Sequence, residues 1–281
     1  MSAIRATTRV VAILGDPVEH SLSPVMHNAA FAALGLDFAY VALRVRPAAL
    51  EEAIEGVRAL GFAGLNVTVP HKEAVLSLLD DLSPAARAIG AVNTVVRCGD
   101  RLKGENTDGP GFLRAVARLG FRPRGKRAVV LGAGGSARAV AWALGGAGIS
   151  RLTILNRSPK RAAALAARVR RGCGATVLVS GLDSPGSAGF LQDADIVVNC
   201  TSLGLDGRTA PNVPIAVTPR HCLFYDLVYR LGPTPLVRSA WRRGRRAENG
   251  LSMLVEQAAL AFRIWTGRVA PVGAMRRALA R

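Results

Sequence analysis

Short runs of β-branched and aliphatic residues recur along the chain, separated by Ala- and Leu-rich stretches whose apolar positions repeat at helical spacing. Val10 to Gly15, Phe38 to Val45, Leu65 to Val69 and Ala91 to Val96 predict strands, with helices expected over Pro24 to Ala33, Ala48 to Leu60 and Lys72 to Leu79. A second series follows "RPRGK", with strands expected at Arg127 to Gly132, Arg151 to Asn156, Ala175 to Ser180, Ala194 to Asn199 and Cys222 to Leu227. This rhythm is that of βαβ units, which build largely parallel sheets. The two series meet near "ENTDGPGF", Glu105 to Phe112, where Gly109 and Gly111 suit a hinge as the chain enters a helix. In the tail, Leu254, Ala258, Ala261, Ile264 and Trp265 fall along one helical face. Gly181 to Gly189 reads as the most flexible connection.

The 281 residues are 50% hydrophobic and 20% charged, enough to bury a sizeable core in two domains. No apolar run approaches the ~18 residues of a membrane span. The start, "MSAIRATTRVVAILGD", lacks a signal-peptide core, so a cytoplasmic protein is expected. Cys98, Cys173, Cys200 and Cys222 show neither CxxC nor metal-ligand spacing, which points to reduced thiols and no metal.

Charge changes the picture little. Lys plus Arg total 37 against 19 Asp plus Glu, a net +18, and only Lys72, Lys103, Lys126 and Lys160 are lysines. The arginines are scattered, dense only in "WRRGRR" (Trp241 to Arg246), and no aromatic ladder accompanies them. A solvated basic surface is therefore expected, with no nucleic-acid partner; its field would still speed capture of small anions at low salt.

After the strand "RAVVL" comes "GAGGSARAVAWAL", the strand-turn-helix setting of a glycine-rich dinucleotide loop. Gly132 and Gly134 let the backbone turn tightly and approach a pyrophosphate, whose charge would sit on the amides of a helix N-terminus. At the end of the next strand stands Asn156, where an NAD site usually offers an acid to the ribose. "NRSPKR" instead offers Arg157, Lys160 and Arg161 to a 2'-phosphate, which favours NADP.

A nicotinamide enzyme also needs a group to handle one proton. Lys72, at the mouth of the strand "LNVTV" in a chain that seldom uses lysine, is the candidate, since arginine is effectively always charged. Ser21, Ser23, Asn66, Thr68, Asn93 and Asp108 recur at other strand ends and could converge with it. Singly, each has an ordinary use: Ser23 as a helix N-cap before Pro24, Asn93 and Asp108 as turn residues, Thr68 as a strand residue.

The segments "GDPVEHSLSPVMHNAAF", "GLNVTVPHK", "GAVNT", "NTDG", "GAGGSAR", "NRS", "NCTSLG", "YDLVY", "TPL" and "NGLSMLVEQAALAFRIWTG" occur in this order along nearly the whole chain. In this the sequence resembles the shikimate dehydrogenases. The resemblance implies an α/β chain with an N-terminal substrate-binding domain of mainly parallel sheet (1–108), a Rossmann NADP-binding domain (109–249) and a C-terminal helical segment (250–281) returning to the first domain. It further implies reversible NADPH-dependent reduction of 3-dehydroshikimate to shikimate, in chorismate and aromatic amino-acid biosynthesis.

By the same resemblance Lys72 and Asp108 match the catalytic pair, and Ser21 and Ser23 the ligands of the substrate carboxylate. Asn66, Thr68, Asn93, Tyr229 and Gln257 match residues around the ring hydroxyls. Gly132, Ala133, Gly134, Gly135 and Ser136, with Asn156, Arg157, Lys160 and Arg161, match the NADP-binding segments, and Leu227 and Gly250 lie near the nicotinamide. His71 is expected as a supporting or surface residue. Two positions depart from the family pattern: Leu205 stands where Met is usual after Gly204, and Leu231 where Pro is usual after Tyr229. Quinate/shikimate and aminoshikimate dehydrogenases are the neighbouring readings, against which Ser23 and Arg157 argue for shikimate with NADP. A catalytically silent NADP-binding sensor is the reading from another class, and a homodimer is left open.

Overall fold

The β-branched runs pair into two six-stranded sheets. The computed structural model describes residues 4–182 and 184–280. Its first sheet holds β1 (Arg9–Gly15), β2 (Phe38–Arg44), β3 (Gly64–Val67), β4 (Asp81–Leu82), β5 (Thr94–Cys98) and β6 (Arg101–Glu105), in the order β2-β1-β3-β5-β6-β4. β1 is parallel to β2 and β3, and β4 to β6, whereas β5 runs antiparallel to β3 and β6. The β5–β6 hairpin turns at Gly99, whose φ of 63° suits a residue without Cβ. The sequence pattern missed β6 because "RLKGE" has no β-branched residue, so only its partner marks it as a strand.

Helices α1 (Ser23–Ala33), α2 (Leu50–Ala59) and α3 (Pro84–Ile89) connect these strands. On one sheet face Leu50, Ile54 and Val57 of α2 pack with Ala12, Leu14, Leu65, Val67 and Val95. The helix expected over Lys72 to Leu79 does not form: turns lead into a short 3-10 stretch at Ala74–Leu78. Val75 N–H reaches the His71 carbonyl at 2.9 Å, but the Lys72 carbonyl accepts from the Val92 amide at 2.8 Å and Leu76 N–H turns to Glu73, so the helical ladder is not continued.

The second sheet holds β7 (Arg127–Leu131), β8 (Arg151–Leu155), β9 (Thr176–Ser180), β10 (Ile196–Asn199), β11 (Leu223–Asp226) and β12 (Arg246–Asn249), in the order β12-β11-β10-β7-β8-β9. Every pairing is parallel. Both faces are covered, which is why its inner strands read as apolar runs; the edge strand β12, "RAEN", has no such run and is not expected from the sequence. Ala128, Val130, Ile196 and Val198 face one cluster and Val129, Leu131 and Val197 the other. The chain also forms α4 (Asp108–Arg118), α5 (Gly135–Gly146), α6 (Pro159–Arg170), α7 (Pro235–Arg242), α8 (Leu251–Thr266) and α9 (Val272–Leu279). The stretch Gly181 to Gly189 includes Asp183, outside the described residues, and leads into a 3-10 turn at Pro185–Leu191.

Residues up to Gly111 and from Val255 onward make one compact unit, and Phe112–Leu254 the other. The divisions fall inside α4 and α8, a few residues past those read from the sequence. Gly109 and Gly111 belong to the first turn of α4 and form no loop hinge. The Asn106 side-chain oxygen accepts from the amides of Asp108 and Gly109 at 3.1 and 3.4 Å. A Cβ on Gly111 would lie 2.7 Å from that of Gln257, so this glycine serves close packing against α8.

Candidate active site

Within the first unit, the strand ends bring a lysine and an aspartate together. Lys72 follows β3 on a turn whose backbone is tied to Val92, one residue before Asn93. Asp108 opens α4 just past β6. The Lys72 ammonium donates to Asp108 Oδ2 at 2.6 Å, with side chains only 12% and 6% exposed. His71 is buried, not a surface residue, and its Nε2 lies 2.7 Å from the Val45 carbonyl, which fixes the turn from its other side.

Asn93 knits the carboxylate into the unit. Its Nδ2 donates to Asp108 Oδ1 at 2.8 Å, to Thr107 Oγ1 at 2.9 Å and, more weakly, towards Gln257 Oε1 at 3.3 Å. Its Oδ1 accepts from Thr107 N–H at 2.8 Å. Asp108 is therefore held through both oxygens, one by a cation and one by an amide. Gln257 arrives on α8, which is anchored by Trp265: the indole N–H donates to the Val95 carbonyl at 2.9 Å. Only glycine fits beneath that indole, because a Cβ on Gly64 would sit 2.3 Å from Trp265 Nε1.

Asn66 has a full set of bonds within the protein. Its Nδ2 donates to the Asn93 carbonyl at 3.0 Å and to Thr94 Oγ1 at 3.2 Å, and its Oδ1 accepts from the Tyr40 hydroxyl at 2.7 Å. Ser21 and Ser23 lie at the start of α1, where Leu22, not Ser23, is the N-cap and has no side chain that could cap the helix. The Ser23 amide donates to Ser21 Oγ at 3.3 Å. Thr68 ends the β3 segment half-buried; Gly15 leaves it room, since a Cβ there would come within 2.3 Å of the threonine methyl.

In the second unit, the glycine loop joins β7 to α5. Gly132 takes φ 107°, and a Cβ there would meet the Cys200 carbonyl at 3.2 Å. Gly134 is the N-cap of α5 and has no side chain with which to cap it, and Gly135 and Ser136 open the helix. Ala133 and Ala137 are buried against the sheet. After β8, Asn156 Nδ2 donates to the Ser158 carbonyl at 3.0 Å, Ser158 caps α6, and Arg157, Lys160 and Arg161 are exposed. Gly250 packs directly on Leu227: a Cβ there would be 2.3 Å from the Leu227 carbonyl oxygen. Tyr229, expected on the substrate, belongs to this unit and follows β11 half-buried.

Three family models match in chain order: the shikimate dehydrogenase substrate binding domain over residues 13–95, the shikimate / quinate 5-dehydrogenase over 115–225, and the shikimate 5'-dehydrogenase C-terminal domain over 250–280. A shikimate dehydrogenase (NADP(+)) of Symbiobacterium thermophilum is 51% identical over 99% of this chain and 95% of its own length. The chain belongs to the shikimate dehydrogenase family. The enzyme of that name from Moorella thermoacetica is 50% identical, again over 99% and 95%. A shikimate 5-dehydrogenase from Thermus thermophilus, solved with NADP(H) and shikimate, superposes with TM-score 0.86 at 42% identity, over 98% of this chain and 99% of that one.

The two departures from the family pattern, Leu205 and Leu231, are both exposed in the second unit. Four residues that tie the site together escaped the sequence reading. Asn106 and Thr107 stand inside "NTDG", where an Asn two residues before a helical Asp is itself a cap signal. Thr94 and Tyr40 looked like ordinary strand residues. The available hint was that Tyr40 is the one phenol in "FAYVALRV", and a buried tyrosine needs a partner for its hydroxyl.

Proposed function

We propose that this chain catalyses the reversible NADPH-dependent reduction of 3-dehydroshikimate to shikimate, a step towards chorismate and the aromatic amino acids. The observation that carries the reading is the buried Lys72–Asp108 pair, 2.6 Å apart, in a chain half identical to enzymes of that name. As the substrate carbonyl is reduced, negative charge grows on its oxygen; the Lys72 ammonium stabilises that charge and then hands over a proton. Asp108 keeps the amine oriented. In the oxidation direction Lys72 serves as the base that takes the hydroxyl proton.

Ser21 and Ser23, at the N-terminus of α1, suit a carboxylate, and Thr68, Asn93 and Gln257 suit ring hydroxyls. We assign Tyr229 to the substrate as well. The second unit fits a dinucleotide: Gly132, at φ 107°, turns the chain so that Ala133 to Ser136 lead into the N-terminus of α5, and Arg157, Lys160 and Arg161 offer exposed cations to a 2'-phosphate next to Asn156. Leu227 and Gly250 would flank the nicotinamide. When bound, NADPH supplies the hydride. Small charged substrates suit a cytoplasmic enzyme, and no helix among the described residues is long and apolar enough to cross a membrane.

The test is absorbance at 340 nm with shikimate or quinate against NADP or NAD. Turnover confined largely to shikimate with NADP is expected. Faster turnover of quinate or NAD would overturn the specificity, and silence in all four mixtures would overturn the shikimate reading in favour of an aminoshikimate dehydrogenase or a silent sensor.

A further inference from the structure

Three independent devices in the first unit converge on Tyr40. As an edge strand, β2 pairs only with β1, and the backbone of Tyr40 is clamped by one side chain of α1: Asn28 Oδ1 accepts its amide at 2.8 Å and Asn28 Nδ2 donates to its carbonyl at 2.9 Å. Its ring stacks on the neighbouring helix residue, His27, with centroids 4.5 Å apart and planes 8° from parallel. Phe31, Phe262 and Trp265 close the same aromatic cluster. Burial pushes the His27 imidazole down to about 3, so a neutral ring lies against the phenol throughout the working pH range. The third device is the phenol itself, whose hydroxyl donates to Asn66 Oδ1 at 2.7 Å.

The Asn93 carbonyl can only accept and so turns the Asn66 Nδ2 towards itself, which leaves Oδ1 for the Tyr40 hydroxyl to hold at the other end of the amide. With Oδ1 taken by Tyr40, both Nδ2 hydrogens are directed at the Asn93 carbonyl and Thr94 Oγ1. The Asn93 backbone is thereby fixed, and its side chain places an N–H on Asp108 Oδ1 while Lys72 occupies Oδ2. The path from the aromatic cluster to the ammonium thus runs through hydrogen bonds between buried or half-buried groups, by way of the Asn93 residue itself.

We propose that Tyr40 is a positioning residue for the reaction: through Asn66 and Asn93, its hydroxyl sets the Asp108 carboxylate that holds Lys72. This rests on reading Lys72 and Asp108 as the catalytic pair. Tyr40→Phe keeps the stack on His27 and removes only the bond to Asn66.

The experiment is steady-state shikimate oxidation with NADP across pH, with thermal melts, for wild type, Tyr40→Phe, Asp108→Asn and the double variant. In Tyr40→Phe, kcat is expected to fall about tenfold with KM for shikimate within about twofold, as for a small misplacement of a reacting group. The pH at which kcat rises should move to lower values, because a poorly seated carboxylate stabilises the ammonium less. Tyr40→Phe should add little in the Asp108→Asn background, since both act on the same link. Asn28→Ala, which frees the backbone of Tyr40, should shift the profile in the same direction by less, and it carries the test should Tyr40→Phe melt below the assay temperature. A lowered melting temperature with an unchanged pH profile would reduce Tyr40 to a packing residue and overturn the proposal. Undiminished kcat in Lys72→Ala would instead remove the catalytic pair itself, a separate failure.

Discussion

Asp108, just past β6 in the first unit, and Asp226, at the end of β11 in the second, are both buried, and their surroundings are opposite. Asp108 meets a cation: Lys72 is 2.6 Å from one oxygen and the Asn93 amide 2.8 Å from the other. Asp226, at the end of β11, meets only neutral donors: Asn199 Nδ2 at 2.8 Å, Val228 N–H at 3.2 Å and Thr234 Oγ1 at 2.6 Å. Burial pushes the Asp226 carboxyl above its ordinary range, and the three hydrogen bonds oppose that only in part. A carboxylate paired with a movable amine can take part in proton transfer. One tied to three fixed donors ties down loops, here the turn after β10, the turn after β11 and the N-terminus of α7, which Thr234 caps. Burial alone marks neither as functional; the chemistry of the partner does.

The sharpest way to break this contrast is Lys72→Ala. Loss of the proton-transfer group should lower kcat by about 10²–10⁴ while KM for shikimate changes far less. A near-normal kcat with a large rise in KM would demote Lys72 to a binding residue. Asp108→Asn comes next. It keeps the shape and the bond to Asn93 but removes the charge that holds the ammonium, and kcat should fall by about 10² with KM for shikimate little changed. An unchanged kcat would mean that the carboxylate does not hold the amine in place for the reaction.

Asp226→Ala reverses the emphasis. Three buried donors lose their acceptor together, and at about 1–3 kcal/mol for an unsatisfied buried group the fold should lose roughly 3 kcal/mol, read from urea unfolding. Its kcat, measured on folded protein, should fall less than in either of the first two variants. A stability loss below about 0.5 kcal/mol would show that the loops around Asp226 are held by something else.

How much of this was legible differs between the same two units. Five of the second unit's six strands could be read almost to the residue, because a parallel sheet covered on both faces demands apolar runs, and "AVVL" or "DIVVN" can hardly be anything else; β12, "RAEN", is an edge strand without such a run and could not be read. In the first unit β6 and the turn carrying Lys72 could not be read. Their conformations are set by distant partners, the β5 strand and the Val92 amide, and not by local pattern. The residues with chemical character, Lys72, Asp108 and Asn93, stood out in the sequence. Tyr40 and Asp226 did not, for one writes like a strand residue and the other like a turn residue until a fold supplies Asn66 to the first and Thr234 to the second.

The smallest expected effect is also the most specific to Asp226. A carboxyl whose pKa is raised on folding binds its proton more tightly in the native state than in the unfolded chain. Its stabilising contribution is therefore complete below the ordinary carboxylate pKa and is lost as pH rises through the elevated native value. Asp226→Asn keeps an acceptor for Asn199 and Val228, and Thr234 can turn its hydroxyl to accept from the new amide, so the fold should survive. What should vanish is the pH dependence. The stability difference, wild type minus Asp226→Asn, should decline as pH rises from about 4 and flatten once the native carboxyl has ionised. Urea midpoints of the two proteins from pH 4 upward give that difference directly. Parallel curves would place Asp226 at an unperturbed pKa, and a difference rising with pH would mean that the hydrogen bonds outweigh burial and make Asp226 electrostatically like Asp108 after all.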